Sequence, residues 1–235
     1  MKYAIIAAGE GSRLTQEGIS TPKAITNIAN RPIVERLIDI FIQNDADDIY
    51  IIINDHNPQT QSFLEQLIAK ENRVAIHLLV KSTPSSMHSF FELSSHLTDA
   101  PFCLTTVDTI FKEEEFKQFI DAFQSADDID GLMAVTDYID DEKPLYVHTD
   151  DALKITAFLD KPWDTTKYVS GGIYALKPQC IETLRRCMRE NISRMRNFQR
   201  GLVEDGRDLR AFVFSKILDI DHAGDIEKAE AFLSE

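Results

Sequence analysis

The chain has no apolar run long enough to cross a bilayer as a helix, little cysteine and a shortage of positive charge. No stretch approaches 18 consecutive apolar residues, and the N-terminal apolar stretch, 3–8, lacks a cleavage pattern. A membrane partner and a signal peptide are therefore not expected. Only three cysteines occur, Cys103, Cys180 and Cys187. They form neither a disulfide framework nor a zinc spacing, a usage that fits a reducing, cytoplasmic setting. Lys and Arg number 25 against 39 Asp and Glu, a formal net charge of −14 over 235 residues. Such a surface repels nucleic acid and anionic membranes. A phosphate-binding function then requires a local cluster of cations and backbone amides, with a metal.

What is present is a core-forming composition, 43% hydrophobic. The first half alternates short β-rich runs with amphipathic stretches. Strands are predicted over 3–8, 49–53, 74–80 and 102–107. Helical spacing runs through Ile33, Val34, Leu37, Ile38, Phe41 and Ile42, again through Phe63, Leu64, Leu67 and Ile68, and over 85–97. This repetition predicts a doubly wound, mainly parallel but mixed α/β sheet with helices on both faces. After Gly131 shorter strands predominate, at 132–135, 145–148, 155–159 and 172–176, predicting a small antiparallel extension. A single domain over 1–235 follows, with a nucleotide-binding lobe at 1–130 and an acceptor lobe at 131–235.

The first strand runs into Ala7-Ala8-Gly9-Glu10-Gly11-Ser12-Arg13-Leu14. A loop at the carboxyl end of such a strand is where open α/β sheets bind ligands. Leu14 stands where a dinucleotide fingerprint needs its third glycine. Leu14-Thr15 also fails the Lys-Ser/Thr requirement of a P-loop. What remains is Gly-x-Gly-x-Arg-Leu followed by Thr21-Pro22-Lys23-Ala24-Ile25. Together with Arg31-Pro32-Ile33, this signature resembles the sugar-1-phosphate nucleotidyltransferases, the nucleoside-diphosphate-sugar pyrophosphorylases.

The resemblance implies an enzyme that transfers a nucleotidyl group from an NTP to a phosphorylated small-molecule acceptor, releasing pyrophosphate. Ala7, Ala8, Gly9, Gly11 and Ser12 would cradle phosphates through backbone amides. Arg13 would hold the β- and γ-phosphates, and Lys23 the α-phosphate in its transition state. Mg²⁺ is the implied cofactor, since phosphoryl chemistry with Mg²⁺ uses one or two carboxylates. Asp108 closes an apolar strand in a segment resembling the family's Gly-Asp-x-x-Phe, with Val107 in place of Gly. The second ligand is expected in Asp219-Ile220-Asp221, with Asp221 ahead of Asp219.

On the acceptor side, Phe158-Leu159-Asp160-Lys161-Pro162 resembles the family's Phe-x-Glu-Lys-Pro. Asp160 would contact sugar hydroxyls and Lys161 the acceptor phosphate. Gly171 and Gly172 would lie against the acceptor. Where many relatives place glycines against the base, this chain has a hydroxyl-rich 82–89, in which Ser85 and Ser86 are assigned to the nucleotide. That segment resembles the cytidylyltransferases acting on phosphocholine-type acceptors, so base and acceptor stay open. A nucleotide-sensing relative without turnover is the rival from another class. Homo-oligomerisation is left open, and no appended acyltransferase or kinase domain is expected within this length.

Overall fold

The computed structural model describes residues 1–235. In chain order the strands are β1 (Lys2–Ala7), β2 (Asn27–Ile28), β3 (Arg31–Pro32), β4 (Asp48–Ile53), β5 (Ala75–Val80), β6 (Phe102–Thr106), β7 (Thr109–Ile110), β8 (Gly131–Thr136), β9 (Tyr146–Thr149), β10 (Ile155–Leu159), β11 (Tyr168–Leu176), β12 (Leu209–Val213) and β13 (Leu218–Asp219). The helices are α1 (Ser12–Gln16), α2 (Ile33–Gln43), α3 (Pro58–Ile68), α4 (Ser86–Ser94), α5 (Glu113–Gln124), α6 (Cys180–Arg189), α7 (Met195–Glu204) and α8 (Ala223–Ser234).

Strands β5, β4, β1 and β6 are neighbours in that order and all parallel. Strand β11 joins β6 antiparallel, β8 joins β11 antiparallel, and β12 pairs parallel with β8. One sheet therefore runs through both halves of the sequence. Of the four strands predicted for the antiparallel extension, β8 and β11 enter the main sheet, and β9 and β10 form a ribbon attached to the outer end of β11.

Alternation along β1 explains the layers. Tyr3, Ile5 and Ala7 point into one core, and Ala4 and Ile6 into the other. The first core gathers Phe41 of α2, Leu64 of α3, Phe116 and Phe119 of α5, and Phe232 of α8. Tyr3 and Phe41 stack with centroids 4.4 Å apart. The second core takes Phe90 of α4, Leu184 of α6 and Phe198 of α7. The central strands β1, β4 and β6 are thus covered on both sides, which accounts for the continuous apolar run Ile49–Ile53. Cys103, Cys180 and Cys187 are all buried free thiols. Burial pushes the Cys180 thiol up to about 12, so it packs as a small apolar group.

Strand β11 divides the sheet. Residues 173–176 pair with β6, whereas Tyr168 and Val169 pair with β9. The pairing slips between Ser170 and Tyr174, and Gly172 carries the kink at φ 72°. That left-handed backbone is open to glycine at no steric cost. A cleft opens where the strands part.

Candidate active site

The loop after β1 is built so that its amides have nothing within the protein to bind. The N–H groups of Gly9, Glu10, Gly11, Ser12 and Arg13 make no hydrogen bond to any protein acceptor. Gly11 takes φ 62° as the residue before α1, and a Cβ there would stand 3.0 Å from the Cβ of Lys23. Glycine is what lets loop and lysine approach this closely. Buried Leu14 anchors the far side of the turn.

Behind Pro22, a short 3₁₀ turn over Lys23–Ile25 turns Lys23 under the loop. Its ammonium lies 2.5 Å from Asp108 Oδ2 and 2.8 Å from Asp221 Oδ1. Arg13 Nη1 donates to Asp221 Oδ2 at 2.8 Å. Two antiparallel two-residue strands bring these distant carboxylates together. Leu218 and Asp219 of β13 pair with Ile110 and Thr109 of β7, and Ile220 N–H donates to the Asp108 carbonyl at 3.1 Å. The far end of the chain is fastened there again by Glu17. Its carboxylate accepts from His222 Nδ1 at 2.6 Å and from Ala223 N–H at 2.7 Å.

Burial alone would depress Lys23, whose side chain is 11% exposed. The charges of Asp108 and Asp221 outweigh that, so its pKa stands above the ordinary lysine value. Asp219 does not reach Lys23. Its edge is open to the cleft, but the protein crowded around it and the charge on Asp108 hold its carboxyl well above the ordinary range. Two carboxylates on one ammonium, with Asp219 nearby, form a site that favours added positive charge. The donors Asp108 and Asp221 are hard oxygens converging on one point, which suits Mg²⁺ with substrate phosphates completing its shell.

Two cavities meet at Arg13 and Asp221. The larger, about 560 Å³, runs from Ala7 and Ala8 along the glycine loop to Lys23 and Asp108, and is closed opposite by Thr83–Ser86 and Ser89. Ser85 and Ser86 therefore line the same cavity as the glycine loop. Ser85 Oγ is 2.8 Å from His88 Nδ1, and His88 itself is not in the lining. The second cavity, about 310 Å³, lies beyond Asp221 between β11 and α8. Gly171 lines it, and Gly172 sits just behind, close to the hydroxyls of Thr106 and Thr109.

Asp160 and Lys161 are not brought to either cavity. They follow β10 at the sheet edge, where α7 supplies two partners. Arg196 and Arg200 reach Asp160 Oδ1 at 2.9 and 2.7 Å. Lys161 is exposed. The second cavity is lined instead by residues the sequence reading did not select, including Tyr138, Asp140, Asp141, Glu142 and Lys228. Lys228 bridges Asp140 and Asp225 at 2.7 and 3.2 Å. The polar run after β8 was the only signal there, and it reads equally as a solvated turn.

Fold and cleft define a doubly wound α/β protein with a glycine loop of unpaired amides at the carboxyl edge of its first strand. The chain belongs to the nucleotidyl transferase family, whose model matches residues 2–235. It is 24% identical over 190 residues to a mannose-1-phosphate guanyltransferase from Hypocrea jecorina, and 25% identical over 190 residues to one from Saccharomyces cerevisiae. Those alignments cover 78% of this chain but 51% and 52% of the relatives, so it spans about half their length. The fold matches the inositol-1-phosphate CTP transferase from T. maritima with a TM-score of 0.80 at 17% identity, covering 100% of this chain and 96% of that one. It also matches a Bacillus anthracis protein assigned as a glucose-1-phosphate thymidylyltransferase, with a TM-score of 0.84 at 19% identity and the same coverages.

Proposed function

We propose that this protein transfers a nucleotidyl group from an NTP to a phosphorylated acceptor, a sugar 1-phosphate, and releases pyrophosphate. The observation that carries this reading is the row of unpaired amides from Gly9 to Arg13, facing a cleft that ends on Lys23, Asp108 and Asp221. Mannose-1-phosphate guanyltransferases among its relatives support it.

The triphosphate lies along the loop, its oxygens accepting from those amides. Ser85 and Ser86 close the nucleotide end of the cleft. Arg13 takes charge on the departing pyrophosphate. Lys23 holds the α-phosphate oxygens as the acceptor oxygen attacks the α-phosphorus and the bond to pyrophosphate breaks. The acceptor phosphate is already an anionic nucleophile, so no general base is needed. Asp108 and Asp221 would hold Mg²⁺, which when bound supplies neutralising charge beside the phosphates. The acceptor fills the cavity beyond Asp221, against Gly171 and Gly172. Asp160 and Lys161 stay proposed as acceptor contacts on the likeness of residues 158–162 to the family's Phe-x-Glu-Lys-Pro segment alone.

The acid-rich lining at Asp140, Asp141 and Glu142 favours a second reading of the acceptor, a phosphate ester bearing a cationic group. The test is pyrophosphate release with Mg²⁺ from each of four NTPs, against hexose 1-phosphates, inositol phosphate and phosphocholine. Turnover with a sugar 1-phosphate is expected. No release from any pair would overturn the catalytic reading, and release with phosphocholine alone would transfer support to the second acceptor.

A further inference from the structure

Asn54 immediately follows β4 and is 3% exposed. It lies outside the lining of the nucleotide cleft, on the opposite side of the glycine loop. Its hydrogen bonds leave one orientation for the amide. The His56 N–H and the Asn57 Nδ2 group can only donate, and they meet Oδ1 at 3.0 and 3.1 Å. Nδ2 therefore faces the loop, where it donates to the Ala8 carbonyl at 3.2 Å and the Gly9 carbonyl at 3.4 Å.

Those two carbonyls belong to the peptide units whose N–H groups are those of Gly9 and Glu10. All peptides in the chain are trans, and in a trans peptide C=O and N–H point in opposite directions. Pulling both carbonyls backward turns both N–H groups forward, into the cleft. Both are unpaired within the protein. We infer that Asn54 is a positioning residue: it sets the peptide planes of the glycine loop so that the loop presents amides, not carbonyls, to an anionic ligand. Without the brace, either peptide could flip and offer a carbonyl oxygen to a phosphate. Asn57 precedes α3 and holds Asn54 Oδ1, so the brace is anchored to a helix of the first core.

This inference rests on the loop's role as a triphosphate cradle, and the experiment separates the two. Asn54→Asp keeps the size and the acceptor for His56, but sets a carboxylate oxygen against both carbonyls. Asn54→Ala removes the brace without repulsion. In the nucleotide-free protein, hydrogen exchange at residues 9–13 is expected to change in both variants, with β11 and α6 unchanged. In steady-state assays the KM for NTP is expected to rise about tenfold, the effect of one lost buried hydrogen bond, with the KM for acceptor unaltered. Wild-type exchange at 9–13 and an unchanged KM for NTP would overturn the brace. So would exchange raised uniformly over the whole sheet, which marks a general loss of stability. If the wild-type chain turns over no NTP, the catalytic reading fails, and the exchange data still decide the brace.

Discussion

Lys23 is the residue on which charge balance in the cleft depends, and Lys23→Ala makes the sharpest test of it. The substitution removes an ammonium 2.5 Å from Asp108 and 2.8 Å from Asp221. Breaking a fully buried ion pair by removing one partner costs about 3–5 kcal/mol. Here the carboxylates are 22% and 41% exposed, and Asp221 keeps Arg13. Water can reach both, so the expected loss is nearer ~1–2 kcal/mol, a fall in Tm of roughly 2–8 °C for a domain of this size. The catalytic effect should be larger. A cation aimed at charge developing in the transition state is worth about 10²–10³ in kcat, or roughly 3–4 kcal/mol of barrier. Removing a competing cation from between two carboxylates should also tighten, not weaken, Mg²⁺ binding. Pyrophosphate release, thermal denaturation and a Mg²⁺ titration read the three effects separately. A kcat within about threefold of wild type, in a variant that remains folded, would refute the role of Lys23. Lys23→Met, which keeps the apolar stem, serves as the second variant.

The remaining expectations concern loop, metal and surface. Gly11→Ala places a Cβ in left-handed backbone, 3.0 Å from Lys23 Cβ; a loss of about 1–2 kcal/mol in chemical denaturation and a rise in the KM for NTP are expected. Asp221→Asn should weaken Mg²⁺ dependence of pyrophosphate release far more than Asp219→Asn, since Asp221 meets Lys23 and Asp219 does not; equal effects would make Asp219 a ligand too. Hydrogen bonding from Arg73 holds the Glu71 carboxyl down at about 2, against an ordinary 4.5. A depressed carboxylate stabilises the fold above 4.5 and loses that contribution as pH falls towards 2. The Tm gap between wild type and Glu71→Gln should therefore be widest near neutrality and narrow across that window.

Much of this architecture is legible because it is local. A run such as Ile49–Ile53 or the spacing of Phe63, Leu64, Leu67 and Ile68 depends only on which faces neighbouring residues present, and both segments fall within the elements expected, β4 and α3. Some bounds moved for tertiary reasons. Strand β11 begins at Tyr168, four residues before the predicted start, because β8 and β9 supply partners that no local pattern reveals. Helix α4 ends at Ser94 rather than 97, its last turn tightened into three-residue turns in which His96 N–H donates to the Leu93 carbonyl and Leu97 N–H to the Ser94 carbonyl.

The site divides in the same way. Residues 9–23 carry their own chemistry, since glycine freedom, an arginine and a lysine lie within one short segment. Their spacing alone separated this loop from the dinucleotide and P-loop types. Everything that gives the loop its direction comes from elsewhere. Lys23 meets Asp221 across 198 positions, and Asn54 turns the peptides of Ala8 and Gly9 from 46 and 45 positions away. The second cavity needs β11 and α8 side by side, and the edge position of β10 gives Asp160 to Arg196 and Arg200. Sequence determined the elements and the glycine-rich loop, because periodicity and turn chemistry act between near neighbours. Only the tertiary structure decided which carboxylates face Lys23 and which side of the loop faces the cleft, because those depend on the order in which strands join the sheet.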